Sequence, residues 1–344
     1  MNRLALILIS LIFVVTACHD HPELTQTPFQ YFKDDNLVSV VIETNMGSLL
    51  AEKEDYEYQP AKLTLKKEDA EEEHFHLETK PRGHFRKATC TFPPLKIRFP
   101  DEVLESGGFK DYPTLKLVTH CEADLGFDQL ILKEYLTFKL YNELTDNSFK
   151  NQLVKVTYVD TEDNHEKIER FGFLIEHPRE LAHRMEGLIM GETYGVPKNI
   201  HMPAYKTFVL FQYMIGNTDW GLSNRHNVKL IQRKEGELKL PVPIPYDFDF
   251  CGLVNAPYAV PHHGHPIQHV RQRYFQWRGG EADFSEVFET FRSKQDKLIG
   301  IVADCEYLAD SVKMDALNYL GDFFDQLETP EMITGQRNKM TLTN

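Results

Sequence analysis

The chain has 344 residues, a formal net charge of -14 at pH 7 and 42% hydrophobic residues. An anionic surface repels phosphate backbones, so this charge argues against nucleic acid as a partner. The hydrophobic content and the lack of a long low-complexity tract predict a globular chain beyond the first residues.

The first segment, "MNRLALILISLIFVVTAC", predicts export. Its positive start precedes an apolar run over residues 4–15, which is too short to remain as a transmembrane helix. The ending "VTAC" resembles the bacterial lipobox, in which the cysteine is lipidated. We therefore expect a lipoprotein signal peptide at 1–17, lipidation at Cys18 and a tether at 18–35, anchoring the chain to a membrane of the cell envelope. A cleaved signal peptide on a soluble exported protein is the alternative.

Residues 36–175 are predicted to form a β-rich lobe. Short β-branched or alternating runs separated by turn signals indicate strands, namely "LVSVVIET", "AKLTLKK", "HFHLETK", "LKIRF", "LKLVTHC" and "LVKVTYVD". One helix interrupts them at "DQLILKEYLTFKLYNELTD", where Leu132, Leu136 and Leu140 recur at i+4.

Residues 176–344 are predicted to form a mostly helical lobe. The segment "RFGFLIEHPRELAHRM" reads as a strand that leads into a helix, and long helical patterns follow it. In the last helix, the spacing predicts one apolar face formed by Met314, Leu317, Leu320 and Phe324. The order of elements predicts an α+β chain of two lobes.

Four cysteines follow Cys18, and none has metal-ligand spacing; they are Cys90, Cys121, Cys251 and Cys305. In an oxidising compartment they can pair in three ways, and unpaired buried thiols are the alternative.

Two polar loops flank a short apolar segment. "NTDWGLSNRHNVKLI" carries Asp219, Asn224 and Asn227, and "IPYDFD" carries Asp247 and Asp249. Carboxylate and amide oxygens are hard ligands for divalent cations, and a further carboxylate can accept a proton. This combination predicts phosphoryl transfer with magnesium.

The two loops together resemble the catalytic and metal-binding loops of the CotH-type kinase family of the atypical protein kinase-like superfamily, with HipA-type kinases more distant. The resemblance implies a two-lobed protein kinase-like fold that uses ATP with magnesium or manganese. It implies Asp219 as the catalytic proton acceptor, with Asn227 and Asp247 as metal ligands. Asn224, which has the usual kinase spacing, is the alternative to Asn227, and Asp249 is the alternative to Asp247 or a second metal ligand.

The resemblance also implies that the β-rich lobe holds the nucleotide. Lys116 would contact the phosphates, with Lys96 as its competitor, and Glu134 would position the lysine. Gly83 would let backbone amides approach phosphate. Glu134 stands among apolar residues on its helix, so a cationic partner is expected, unless it is exposed beside Lys133.

The sequence leaves several functions open. The first is an exported, membrane-anchored kinase-like phosphotransferase acting on a protein or small polar acceptor, and AMP or glutamate transfer would need the same ligands. Because free ATP is scarce outside the bacterial cytoplasm, an inactive lipoprotein that serves as a binding or scaffold module is the alternative. A carbohydrate-binding surface protein is a third possibility.

Overall fold

The computed structural model describes residues 26–51, 57–68, 70–191, 199–233, 239–262 and 264–334. The predicted signal peptide and Cys18 lie outside the described residues. Within these ranges, every helix is too short or too polar to span a lipid bilayer.

Ten strands lie within the described residues, and the first seven match the runs that predict strands. They are β1 (Val38–Thr44), β2 (Gln59–Lys66), β3 (Glu73–Pro81), β4 (Leu95–Arg98), β5 (Thr114–Val118), β6 (Asn151–Asp160), β7 (Ile168–Ile175), β8 (Gly187–Ile189), β9 (Val228–Arg233) and β10 (Val242–Pro245). The helices are α1 (Pro28–Phe32), α2 (Met46–Leu50), α3 (Phe85–Thr89), α4 (Asp101–Ser106), α5 (Gly126–Leu144), α6 (Pro178–Arg184), α7 (Met202–Met214), α8 (Ser285–Ser293), α9 (Gln295–Ala303), α10 (Asp310–Leu327) and α11 (Glu331–Thr334).

Among the described strands, seven close into a barrel in the order β1-β2-β3-β4-β5-β7-β6. Closure comes from β6, which pairs antiparallel with β7 and parallel with β1, with Val154 opposite Val38. A separate sheet has the order β10-β9-β8. The predicted two-lobed kinase-like fold is therefore wrong, although the mixed α+β content agrees with the structure. Alternating runs predict half-buried strands, but they do not show that two strands far apart in sequence will pair and close the sheet.

Two hydrophobic cores organise the described residues. One fills the barrel with inward side chains such as Val40, Leu63 and Leu117. The other joins α5 to the later helices and to β9 and β10. Helix α5 lies within the predicted β-rich lobe, but its Leu132 and Leu140 belong to this second core. Helix α5 therefore brings residues of the predicted β-rich lobe into contact with the later helices.

Helix α10 buries most of the predicted apolar face, because Leu317 packs against the second core and Leu320 and Phe324 belong to it. Met314 is 54% exposed, whereas Tyr319, Leu320, Phe323 and Phe324 are buried. Met314 is therefore the member of the predicted face that the structure does not bury.

Part of the predicted tether is packed. Thr27 caps α1 through a capping box with Gln30, and Phe29 and Phe32 of this helix enter the barrel core. The Thr27 hydroxyl also donates a hydrogen bond of 2.5 Å to Oε1 of Glu180 on α6. This contact ties the start of the described chain to the segment that follows β7.

The buried carboxyl of Glu180 should make the free energy of unfolding depend on pH. Burial raises the pKa of its carboxyl to about 7 from 4.5, and its Oε2 is buried with no hydrogen-bond partner. Because the folded-state pKa is the higher one, the stabilisation is complete below about pH 4.5 and is lost as the pH rises through 7. Glu180→Gln cannot ionise, so its free energy of unfolding should fall less between pH 5 and pH 8 than that of the wild type, by roughly 1–3 kcal/mol.

Urea unfolding at several pH values would measure this difference. Exposed Glu166 provides a matched control, and Glu166→Gln should keep the wild-type pH dependence. If the free energies of unfolding of Glu180→Gln and the wild type change with pH in parallel, the raised pKa of Glu180 is wrong.

Candidate functional site

The hairpin of β9 and β10 brings two predicted metal ligands to one end. Pro245 pairs with Val228, and the N–H of Tyr246 donates to the carbonyl oxygen of Asn227 at 3.1 Å. Asn227 therefore lies just before β9, while Asp247 lies just after β10. Both residues have left-handed backbones, with φ of 51° and 65°, a conformation that asparagine and aspartate adopt more readily than most residues. Edge strand β10 accommodates its prolines because it pairs on one side only.

Asp219 is held by side chains from its own loop. Its Oδ2 accepts a hydrogen bond of 2.9 Å from Nδ2 of Asn227, and its Oδ1 lies 2.7 Å from Nε2 of His226. Its backbone N–H donates to Oδ1 of Asn217 at 2.9 Å. The hydrogen bond to Asp219 raises the pKa of His226. The loop therefore presents Asp219 as a half-buried, oriented carboxylate.

The two asparagines proposed as metal ligands have different positions. Asn224 is exposed, and its Oδ1 accepts the backbone N–H of His226 at 3.2 Å, so it stabilises the turn of the loop. Asn227 is buried, and its Nδ2 bonds the backbone oxygen and the carboxylate of Asp219. Only Asn227 of the two contacts the predicted catalytic residue.

A buried ion cluster lies where α3, α5 and the loop after β10 meet. Arg86 donates from Nη2 to Oε2 of Glu134 at 2.5 Å and from Nε to Oδ2 of Asp249 at 3.0 Å. The hydroxyl of Tyr258 donates to the same oxygen of Asp249 at 3.1 Å. Glu134 is 1% exposed and has the expected cationic partner. That partner is Arg86, so the predicted pairing of Glu134 with Lys116 is wrong.

Three carboxylates converge beside Arg86. Oxygen atoms of Glu134, Asp247 and Asp249 lie within 4.8 Å of one another. Asp247 keeps an exposed surface, yet the protein atoms around it and the charge of Asp249 raise its pKa to about 6. Burial likewise raises the pKa of Glu134 to about 7. Carboxylates crowded in this way favour a nearby positive charge.

The carboxylate cluster fits a divalent cation. Magnesium binds oxygen at about 2.0–2.1 Å, and calcium at about 2.3–2.6 Å, so two ligands of one ion lie at most about 4–5 Å apart. Arg86 uses one oxygen of Glu134 and one of Asp249, which leaves the other oxygens of these carboxylates and both oxygens of Asp247. Asn227 adds an amide at the same end of the hairpin.

Positive side chains also lie close enough to Asp247 for its charge to act on Arg82 and Lys116. Lys96 and Lys116 are directly opposite each other on β4 and β5, an arrangement that costs free energy without an anion between them. Burial, together with the positive charges of Arg82 and Lys229, lowers the pKa of Lys116 to about 8. Within the described part of the chain, the side chains of Lys96, Lys116 and Arg82 form no hydrogen bond or ion pair. We call Arg82, Lys96, Lys116 and Lys229 the cation cluster.

The segment after β3 positions the arginines. Gly83 has φ of +88° and faces open space, so it provides the left-handed turn between Arg82 and α3. A disulfide joins Cys90, at the end of α3, to Cys121, just after β5. It ties the arginine segment to the strand that carries Lys116. Free thiols remain at buried Cys251 and half-buried Cys305.

Sequence reasoning missed Arg82, Arg86, Lys229 and His226. In the segment "PRGHFRKATC", Gly83 indicates a turn, but nothing in the pattern shows that Arg86 enters the interior. The expected cationic partner of Glu134 did indicate that a lysine or arginine from another segment lies beside it, but not which one. His226 stands between two residues that were singled out, and a loop pattern does not reveal its contact with Asp219.

A separate cavity of about 840 Å³ lies between the barrel and the helical side. Its lining includes Tyr135, Lys139, Cys305 and Tyr307, and none of the carboxylate or cation cluster. The converging charges described above, and not this cavity, define the candidate site.

A comparison with protein-family models finds no match. A comparison with curated proteins likewise gives no match. The functional interpretation therefore depends on the residues of the site.

Proposed function

We propose that the protein is an exported, membrane-anchored phosphotransferase that uses ATP with magnesium or manganese. The observation that carries the proposal is the cation cluster beside the carboxylates of Glu134, Asp247 and Asp249. The cation cluster can bind phosphate oxygens, and the three carboxylates can bind a divalent cation. One metal-bound polyphosphate would satisfy both.

The residues have distinct roles in this proposal. Lys116 and Lys96 bind phosphate oxygens, while Asp247 and Asn227 hold the metal together with Asp249. The bound metal would neutralise charge on the phosphates. Asp219 accepts the proton of an acceptor hydroxyl, whose oxygen forms a bond to the γ-phosphorus as the bond from this phosphorus to the leaving ADP breaks. The acceptor is a protein or a small polar molecule.

Export is supported by two features. The first segment predicts a lipoprotein signal with lipidation at Cys18. The Cys90–Cys121 disulfide is typical of proteins in oxidising compartments, such as the bacterial periplasm.

A binding module without turnover is the second candidate. Arg86 already neutralises part of the charge of Glu134 and Asp249. Because Arg86 neutralises part of its negative charge, this cluster does not depend on a metal ion for stability. The same residues can therefore hold a phosphorylated ligand without transferring its phosphate. Turnover of ATP distinguishes the two candidates.

Binding is tested by the melting temperature of the full-length chain with and without millimolar ATP and magnesium. A ligand at 100 times its Kd stabilises the folded state by about 2.7 kcal/mol, so the melting temperature of the wild type should rise by several degrees. Asp247→Ala should abolish the rise, whereas Asp325→Ala, on an exposed surface of α10, should keep it. A wild type without any rise would contradict the proposed function.

A further inference from the structure

Two aromatic rings stack beside the cation cluster. The rings of Tyr112 and His177 have centroids 5.2 Å apart and an interplanar angle of 17°. Both residues are half-buried, and neither ring belongs to either hydrophobic core. The pair is therefore an accessible aromatic surface at the rim of the barrel.

The strand register places this pair next to the phosphate-binding lysines. Tyr112 precedes β5, and its carbonyl oxygen accepts the N–H of Thr114 at 2.8 Å. Lys116 follows on the same strand and pairs with Ile175 of β7, two residues before His177. The positive charges of Lys116 and Lys96 act on His177 and contribute to its lowered pKa.

The backbone and the local bonds hold the two rings in place. Asp111 and Tyr112 are consecutive left-handed residues, with φ of 49° and 43°, a conformation unfavourable for tyrosine. Nδ1 of His177 accepts the N–H of Arg179 at 3.2 Å and caps α6. Burial lowers the pKa of His177 to about 4, so at neutral pH it provides an uncharged ring and not another phosphate-binding cation.

We propose that the stacked rings of Tyr112 and His177 are the platform on which the base of a nucleoside triphosphate rests while its phosphates reach Lys116 and Lys96. This inference rests on the proposed function and extends it from phosphate to nucleotide recognition. Ring stacking is tolerant of base identity because every base has a π-face. The platform therefore distinguishes nucleotides from inorganic polyphosphates.

Calorimetric titration of the full-length chain with magnesium-ATP and with magnesium-tripolyphosphate tests the platform. Tyr112→Asn removes the ring with a residue that tolerates the left-handed backbone, and His177→Asn removes the other ring with a good helix cap. Each should weaken ATP binding by about tenfold, and tripolyphosphate binding by less than about twofold, because only ATP has a base to stack. Tyr112→Phe keeps the ring and should match the wild type with both ligands.

The outcomes separate the two proposals. If the wild type binds both ligands but neither ring variant weakens ATP selectively, the platform is wrong and the phosphate site stands. If the ring variants weaken both ligands by the same factor, the platform is also overturned. If the wild type binds neither ligand, the proposed function falls together with the platform.

Discussion

Replacing Asp219 with asparagine should lower the rate of phosphoryl transfer by at least about 100-fold, the lower range for loss of a positioned general base. Its carboxylate is fixed on one side by Nδ2 of Asn227 at 2.9 Å and on the other by Nε2 of His226 at 2.7 Å. Asparagine is nearly isosteric, but its amide cannot accept a proton at neutral pH. The loss should therefore appear in turnover.

The measurement is transfer of labelled γ-phosphate, together with calorimetric binding of magnesium-ATP. Asp219→Asn should bind the nucleotide within about threefold of the wild type, because Lys116 and Asp247 provide the main contacts. Asp325→Ala is the control for both assays. A variant that keeps wild-type turnover would show that Asp219 is not the proton acceptor.

Replacing Arg86 with alanine should lower the free energy of unfolding by about 3–5 kcal/mol, as expected when a buried ion pair loses one partner. Arg86 is 8% exposed and contacts Glu134 and Asp249, which are 1% and 5% exposed. Without the guanidinium, both carboxylates lose their positive partner in a region of poor solvation. This effect does not depend on any ligand.

Urea unfolding of four variants, namely Arg86→Ala, Glu134→Gln, their combination and Arg233→Ala, would isolate the cause. The double variant Arg86→Ala/Glu134→Gln should lose less free energy of unfolding than the sum of the losses of the two single variants. The glutamine removes one of the two carboxylates that would otherwise remain without a positive partner. Arg233→Ala breaks the pair with exposed Glu186, so it should change stability by no more than about 1 kcal/mol. A loss for Arg86→Ala as small as that for Arg233→Ala would contradict the buried cluster.

Much of the secondary structure could be predicted because its patterns are local. Helix α5 was expected from leucines at i+4, and β6 from its β-branched run. The closed barrel could not be predicted in this way, because the parallel pairing of β1 with β6 joins segments that are distant in sequence. The kinase-like fold was inferred from two loops, and loops of one chemistry occur on unrelated folds.

Part of the candidate site could also be predicted, because its residues are close together in the sequence. Asn227 and Asp247 flank consecutive strands, so an antiparallel hairpin was enough to bring them together. Arg86 comes from a distant segment held by a turn and a disulfide, and only the tertiary structure reveals that it, and not Lys116, is the partner of Glu134. The role of each residue in transfer stays a prediction.

The central claim is that Asp247 and its neighbours bind a divalent cation together with ATP. Manganese binding, followed by electron paramagnetic resonance with a non-hydrolysable ATP analogue, tests this claim most directly. The wild type should bind manganese in an analogue-dependent manner, and Asp247→Ala should bind at least about tenfold more weakly, as expected from loss of a charged ligand. Equal binding by the two proteins, or a wild type that binds no manganese, would contradict the claim.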